Sequence, residues 1–279
     1  MRVVTLDTVP FHALAYTVGS AMTATLPFLR ATVNALPDGL EAIIATGDLQ
    51  GVVRGAGDAR SEKLLGEAVA AELSVLRSRG ELPPKEKTAV LLTGDLQPSA
   101  DVDDVRRVWF ALGETCRWVA GVAGNHDAFG CEPRGTEVWE SLGRPNLHFF
   151  DDRVEPIGSV LIAGFSGTIG YPGEPWARTE PEFTAALGRL AARSPDLLLS
   201  HDGPNVAGTE LAGWPSVRRA LEAAAPTLLF RGHDPWPTPL ATLSNGTQVV
   251  NVEGRVVVLT QGAGERGDGW PCGGRRHRG

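Results

Sequence analysis

Five short apolar runs in this chain end in residues able to hold a metal ion or move a proton: AIIATGD (42–48), AVLLTGD (89–95), VAGVAGNHD (119–127), DLLLSHD (196–202) and TLLFRGHD (227–234). Each alone is ambiguous, since an aspartate after a strand commonly forms a turn or caps a helix. Together they supply carboxylates at Asp48 and Asp95, an amide oxygen at Asn125 and imidazoles at His126, His201 and His233, with Asp127 beside His126. Mixed oxygen and imidazole donors suit borderline or hard divalent ions such as Mn, Fe or Zn. No cysteine ends any run, which argues against a thiolate site. Groups at the carboxyl ends of neighbouring strands converge on one crevice however far apart they lie in sequence.

The elements that must carry these groups follow from the same runs. They have no polar alternation, as expected of strands covered on both faces. Between them, Ser61–Arg79 and Asp103–Val119 have helical spacing, the latter with Val105, Val108, Trp109 and Leu112 on one face. Strand and helix thus alternate in the first half. SVLIAG (159–164) and NGTQVVNVEGRVVVLT (245–260) read as strands joined by tight turns at Asn245-Gly246 and Glu253-Gly254, so the second half is a mixed or antiparallel sheet. Residues 1–41 are expected to add an edge strand at Val3–Leu6 and a helix packed on the core domain, 42–261. The Gly- and Arg-rich tail, 262–279, is expected to be disordered.

Composition narrows the class. With 279 residues, 42% of them hydrophobic, the chain can bury a full core. A net charge of −7 argues against a nucleic-acid partner gripped through a broad basic surface. Cys116, Cys131 and Cys272 are odd in number and form no CxxC pair, which fits reduced thiols in the cytoplasm. No apolar run approaches the roughly 18 residues of a membrane span, so a soluble cytoplasmic protein is expected.

The ordered runs resemble the signature of the calcineurin-like metallophosphoesterases, DxH, GD, GNH(D/E), H and GHxH. The matching segments are Asp48-Leu49-Gln50, Gly94-Asp95, Gly124-Asn125-His126-Asp127, His201 and Gly232-His233-Asp234-Pro235, within residues 42–260. The resemblance implies an α/β fold, a four-layer α/β/β/α sandwich of two mixed sheets flanked by helices. It also implies two divalent ions, Mn first with Fe or Zn as alternatives. Asp95 would bridge them, Asp48 and Gln50 would hold the first, and Asn125, His201 and His233 the second. A hydroxide bridging the ions would attack phosphorus in a small phosphomonoester or phosphodiester substrate, and His126 would stabilise or protonate the leaving oxygen. Asp127 either orients His126 or caps the next helix.

Two positions depart from the signature. Gln50 stands for the histidine of DxH, and Pro235, with no side-chain donor, for the second histidine of GHxH. The first ion site should then be weaker or richer in oxygen, and biased toward hard ions such as Mn or Mg. The symmetrical diadenosine tetraphosphatases are similar in tolerating both departures. The alternative is a catalytically impaired relative that binds metal as a regulatory or ligand-binding module. Substrate choice would lie in the loops 51–60 and 167–178, whose Arg54, Tyr171 and Trp176 either face a ligand or pack locally.

Overall fold

A strand that is apolar on every residue must bury both faces, and the two layers flanking each sheet meet that demand. The computed structural model describes residues 3–14, 21–54, 62–97, 104–130, 138, 140, 142–171 and 173–262. Among them, nine strands form one sheet in the order Glu62–Leu64, Gly51–Arg54, Val3–Leu14, Ala21–Val33, Arg255–Gln261, Ala42–Gly47, Thr88–Leu92, Trp118–Gly121 and Leu147–Phe149. Its last four strands run parallel. Six strands form the second sheet, in the order Leu240–Thr242, Gln248–Asn251, Leu228–Arg231, Leu197–Ser200, Val160–Phe165 and Arg153–Ile157. The inner four are parallel and the two edges antiparallel.

Alternate side chains of a strand point to opposite faces, and both destinations here are apolar. Ile43, Ala45 and Leu91 meet Leu197, Leu199, Phe230 and Val250 between the sheets. Ile44, Val90 and Leu92 face the other way, onto helices Leu65–Ser78 and Arg106–Thr115 through Val69, Leu73, Val108 and Trp109. Leu198 and Leu229 likewise face Phe183, Leu187, Val217 and Leu221 of helices Glu180–Ala191 and Pro215–Glu222. The expected four-layer α/β/β/α sandwich of two mixed sheets is therefore the fold. The expected helices are present but shorter than their periodic segments, because Glu62–Leu64 form a strand before the first and Trp118 and Val119 belong to the strand after the second.

Three expectations need correction. The helix expected in the first 41 residues is absent from the described ones: Val3–Leu14 and Ala21–Val33 pair as an antiparallel hairpin. Leu26 and Phe28 are buried two residues apart, a strand period, and Pro27 between them lacks the N–H that a helix interior requires. Val3–Leu14 is also no edge, having strands on both sides. Finally, Asn245-Gly246 does turn an antiparallel pair, but Glu253-Gly254 joins no hairpin. There the chain leaves the six-stranded sheet at Asn251 and enters the nine-stranded sheet at Arg255, with Gly254 at φ 59°.

Cys116 is buried as a free thiol, and burial pushes it up to about 12. Cys131, Cys272 and tail residues 263–279 lie outside the described residues, as do 55–60 of the first substrate loop. No described helix is long and apolar enough to cross a membrane.

Candidate metal centre

The five runs end at the same rim of the sandwich, and the loops beyond them are tied to one another by main-chain bonds. Asp48 N–H donates to Gly94 O at 2.8 Å, and Gly232 N–H donates to His201 O at 3.0 Å. Both aspartates leave their strands in the left-handed region, at φ 54° for Asp48 and 55° for Asp95, and His233 does so at 69°. Aspartate and histidine both enter that region more readily than most residues, but each still does so at a cost that its surroundings must meet. The hold on His233 is visible: its backbone N–H points into the Asp48 carboxylate.

Asp95, His201 and His233 bring one ligand atom each to within 4.8 Å of one another. His201 is fully buried, and its Nδ1 lies 2.7 Å from Thr93 O, which turns Nε2 inward to 3.3 Å from Asp95 Oδ2. The His201 and His233 rings stand at 62° with centres 5.0 Å apart. Gln50 Nε2 donates to the same Asp95 Oδ2 at 3.0 Å, and half a turn of that amide would present its oxygen instead. Asp95 Oδ1 accepts the backbone N–H of His126 at 2.9 Å. Asn125, half-buried beside it, keeps its Oδ1 buried.

Asp127 has a defined task. Its Oδ2 accepts the N–H groups of Gly124 and Asp95, both at 2.8 Å, and its Oδ1 accepts that of Leu96 at 2.7 Å. The buried carboxylate thus pins the Asp95 loop to the Gly124 loop. Two glycines complete the packing by lacking a side chain. A Cβ on Gly124 would fall 2.0 Å from Asp95 Oδ1, and one on Gly232 would fall 2.1 Å from Asp48 Oδ2.

The electrostatics of this cluster call for positive charge. Desolvation pushes the Asp48 carboxyl up to about 8, with His201 pulling it down and Asp95 adding to the rise. Burial disfavours a charged His201 ring, yet Asp95 and Asp48 outweigh that and carry it up to about 10. Asn125 Oδ1 is buried with no hydrogen bond, and His201 Nε2 faces only the Asp95 carboxylate, at 3.3 Å. Orphaned buried polar atoms are costly unless something completes them. Two carboxylates, two imidazoles and two amides that leave such atoms open fit a divalent-ion site.

Other residues near the centre divide cleanly. Pro235 is exposed and offers no donor. Trp176 is interior: it packs edge-on against Phe129, lies against Phe149, and donates from Nε1 to Asp127 O at 2.8 Å. Tyr171 is 79% exposed. Asn251 donates to Asp234 O and accepts from Glu253 N–H. Sequence reading passed over Thr93 and Asp202. Thr93 precedes Gly-Asp just as Thr46 does, a repetition that marks it, while Asp202 had only its place after His201 as a signal.

Comparison with known proteins identifies the family through one match. A model of the calcineurin-like phosphoesterases matches residues 42–237. No curated protein matches the chain in sequence. Among solved structures, TT1561 of Thermus thermophilus is similar at 20% identity, covering 77% of this chain and 89% of that one with a TM-score of 0.52. The phosphopantetheinyl hydrolase PptH from Mycobacterium tuberculosis is 13% identical, covering 77% of this chain and 90% of that one with a TM-score of 0.41. Because the family match runs through all five motif loops and those loops meet at one rim, the chain belongs to the calcineurin-like phosphoesterases, a family of metal-dependent phosphoester hydrolases.

Proposed function

We propose that this chain hydrolyses small phosphomonoesters or phosphodiesters with two divalent ions, Mn before Fe or Zn, held by Asp48, Gln50, Asp95, Asn125, His201 and His233. The observation that carries this reading is the position of Asp95. One of its oxygens lies 3.0 Å from Gln50 Nε2 on the first-motif side and 3.3 Å from His201 Nε2 on the other, where a ligand shared by two ions belongs.

When bound, the ions supply a nucleophile at neutral pH and counter-charge for the phosphoryl oxygens. The chain supplies the rest. Its rigid loops, pinned by Asp127, fix the donors before substrate arrives, so little reorganisation is left for the reaction. His126 shares a loop with the Asn125 donor, and its ring stabilises or protonates the leaving oxygen. Asp127 acts through the loops it joins, as a positioning group.

A chelated and re-metallated sample tests this directly. Two equivalents of Mn and Mn-dependent release of nitrophenol from nitrophenyl phosphate or bis-nitrophenyl phosphate are expected. One equivalent without turnover would instead favour the second reading, a metal-binding regulatory or ligand-binding relative, which Gln50 and exposed Pro235 support. The catalytic unit is taken as residues 42–261 together with the hairpin Val3–Leu14 and Ala21–Val33 that lies within its nine-stranded sheet, acting in the cytoplasm, where the buried Cys116 thiol stays reduced.

A further inference from the structure

We propose that Arg231 is a positioning residue that fixes the spacing of His201 and His233, and thereby the affinity of the centre for its ions, without touching substrate. The proposal rests on the metal-centre reading above.

Arg231 ends a strand of the second sheet two residues before His233, and it is fully buried. Arginine is almost never fully buried unless paired. Here its guanidinium spans the segments next to both histidines. Nη2 donates to Asp234 Oδ2 at 3.0 Å and stands 4.0 Å from Asp202 Oδ1. Asp202 directly follows His201, and Asp234 directly follows His233. Nη1 donates to Ala212 O at 3.1 Å, a carbonyl that also accepts Trp236 Nε1 at 2.8 Å. The Trp236 ring faces the guanidinium at 5.4 Å.

Asp202 is itself fixed, by Trp214 Nε1 at 2.8 Å and by the N–H of Ile169 at 3.1 Å. Gly203 makes the room: a Cβ there would fall 2.7 Å from Arg231 Cδ. A single planar cation therefore bonds the His233 loop to the segment around Ala212 and holds the His201 loop by charge alone, 4.0 Å from Asp202, so that the three form one block. The two imidazoles ride on that block. Lysine keeps the charge but offers one compact ammonium in place of the planar fork, so it cannot reach all three partners.

The test uses the full chain, stripped of metal and titrated with Mn by calorimetry, alongside thermal midpoints and turnover. Arg231→Lys should fold and raise the Mn dissociation constant by about 10-fold, the lower end of the effect of direct partners of metal ligands, because Arg231 holds residues next to the histidines and not the rings. Turnover at saturating Mn should fall by a smaller factor. Arg231→Gln alone leaves the buried Asp202 and the half-buried Asp234 carboxylates without their cation, so it is paired with Asp234→Asn to restore the charge balance. That double variant should regain thermal stability while keeping weak Mn affinity. Recovery of affinity together with stability would reduce Arg231 to a structural ion pair and overturn the proposal, as would unchanged Mn affinity in Arg231→Lys. Failure of the wild type to bind Mn would instead sink the metal-centre reading itself.

Discussion

Asp48 and His233 lie 185 residues apart, yet the backbone N–H of His233 meets both oxygens of the Asp48 carboxylate at 3.1 Å. The first and last motifs are thus joined before any ion is considered. The approach is possible because Gly232, between Arg231 and His233, has no Cβ to strike Asp48.

That contact yields a paired prediction. Gly232→Ala should displace the Asp48 carboxylate and abolish Mn-dependent turnover. Gly188→Ala, in the helix Glu180–Ala191, meets only Ala220 at 3.8 Å and should stabilise the fold by about 0.5–1 kcal/mol through helix propensity. Scanning calorimetry with an activity assay checks both. An active Gly232→Ala enzyme would mean that the Asp48 contact has no functional role.

Asp95→Asn removes the shared carboxylate charge while keeping its shape. Main-chain bonds from Asp95 and Leu96 to Asp127 persist in the variant, so folding should survive. Metal content by mass spectrometry should fall below two equivalents and hydrolysis to background. Near-normal turnover in a folded variant would rule out a bridging role.

His126→Ala should behave in the opposite way. The bond from residue 126 to Asp95 comes from its backbone N–H, which alanine retains. Two equivalents of Mn should therefore remain, while turnover falls by about 10²–10⁴-fold, the usual worth of a general acid. Loss of metal from this variant would make His126 a ligand.

Gln50→His restores an imidazole where an amide now stands 3.0 Å from Asp95 Oδ2. The weaker ion should bind more tightly, and the preference should move from Mn toward Zn, as imidazole replaces amide oxygen. Competition titrations of the two metals read this out. An unchanged order would place Gln50 outside the coordination sphere.

The strands that carry the centre were legible because their signal is local: an apolar run, then glycine or serine, then a donor, five times over. The helices were legible from periodicity for the same reason. What escaped depends on partners far away in the chain. Asp127 reads as a possible cap or as a partner of His126, and nothing nearby in sequence says that its carboxylate holds the N–H groups of Asp95 and Leu96, more than thirty residues earlier. Glu253-Gly254 reads as a hairpin turn because a two-residue turn looks alike whether the next strand folds back or crosses to another sheet. Leu26-Pro27-Phe28 carried a strand period that a short window beside a long apolar stretch obscures.

The strand Arg255–Gln261 lies between Ala21–Val33 and Ala42–Gly47, antiparallel to the strand that delivers Asp48. A ribosome making this chain emits Asp48 more than two hundred residues before that neighbour exists. Until then the Ala42–Gly47 strand has an open edge, and the hairpin of Val3–Leu14 and Ala21–Val33 joins the sheet only through Gly51–Arg54. Such long-range closure is slow, and it leaves strand edges exposed meanwhile. The nascent chain should therefore acquire its metal centre only once Arg255–Gln261 has been made, and truncations ending before Arg255 should yield aggregates in place of a partial enzyme.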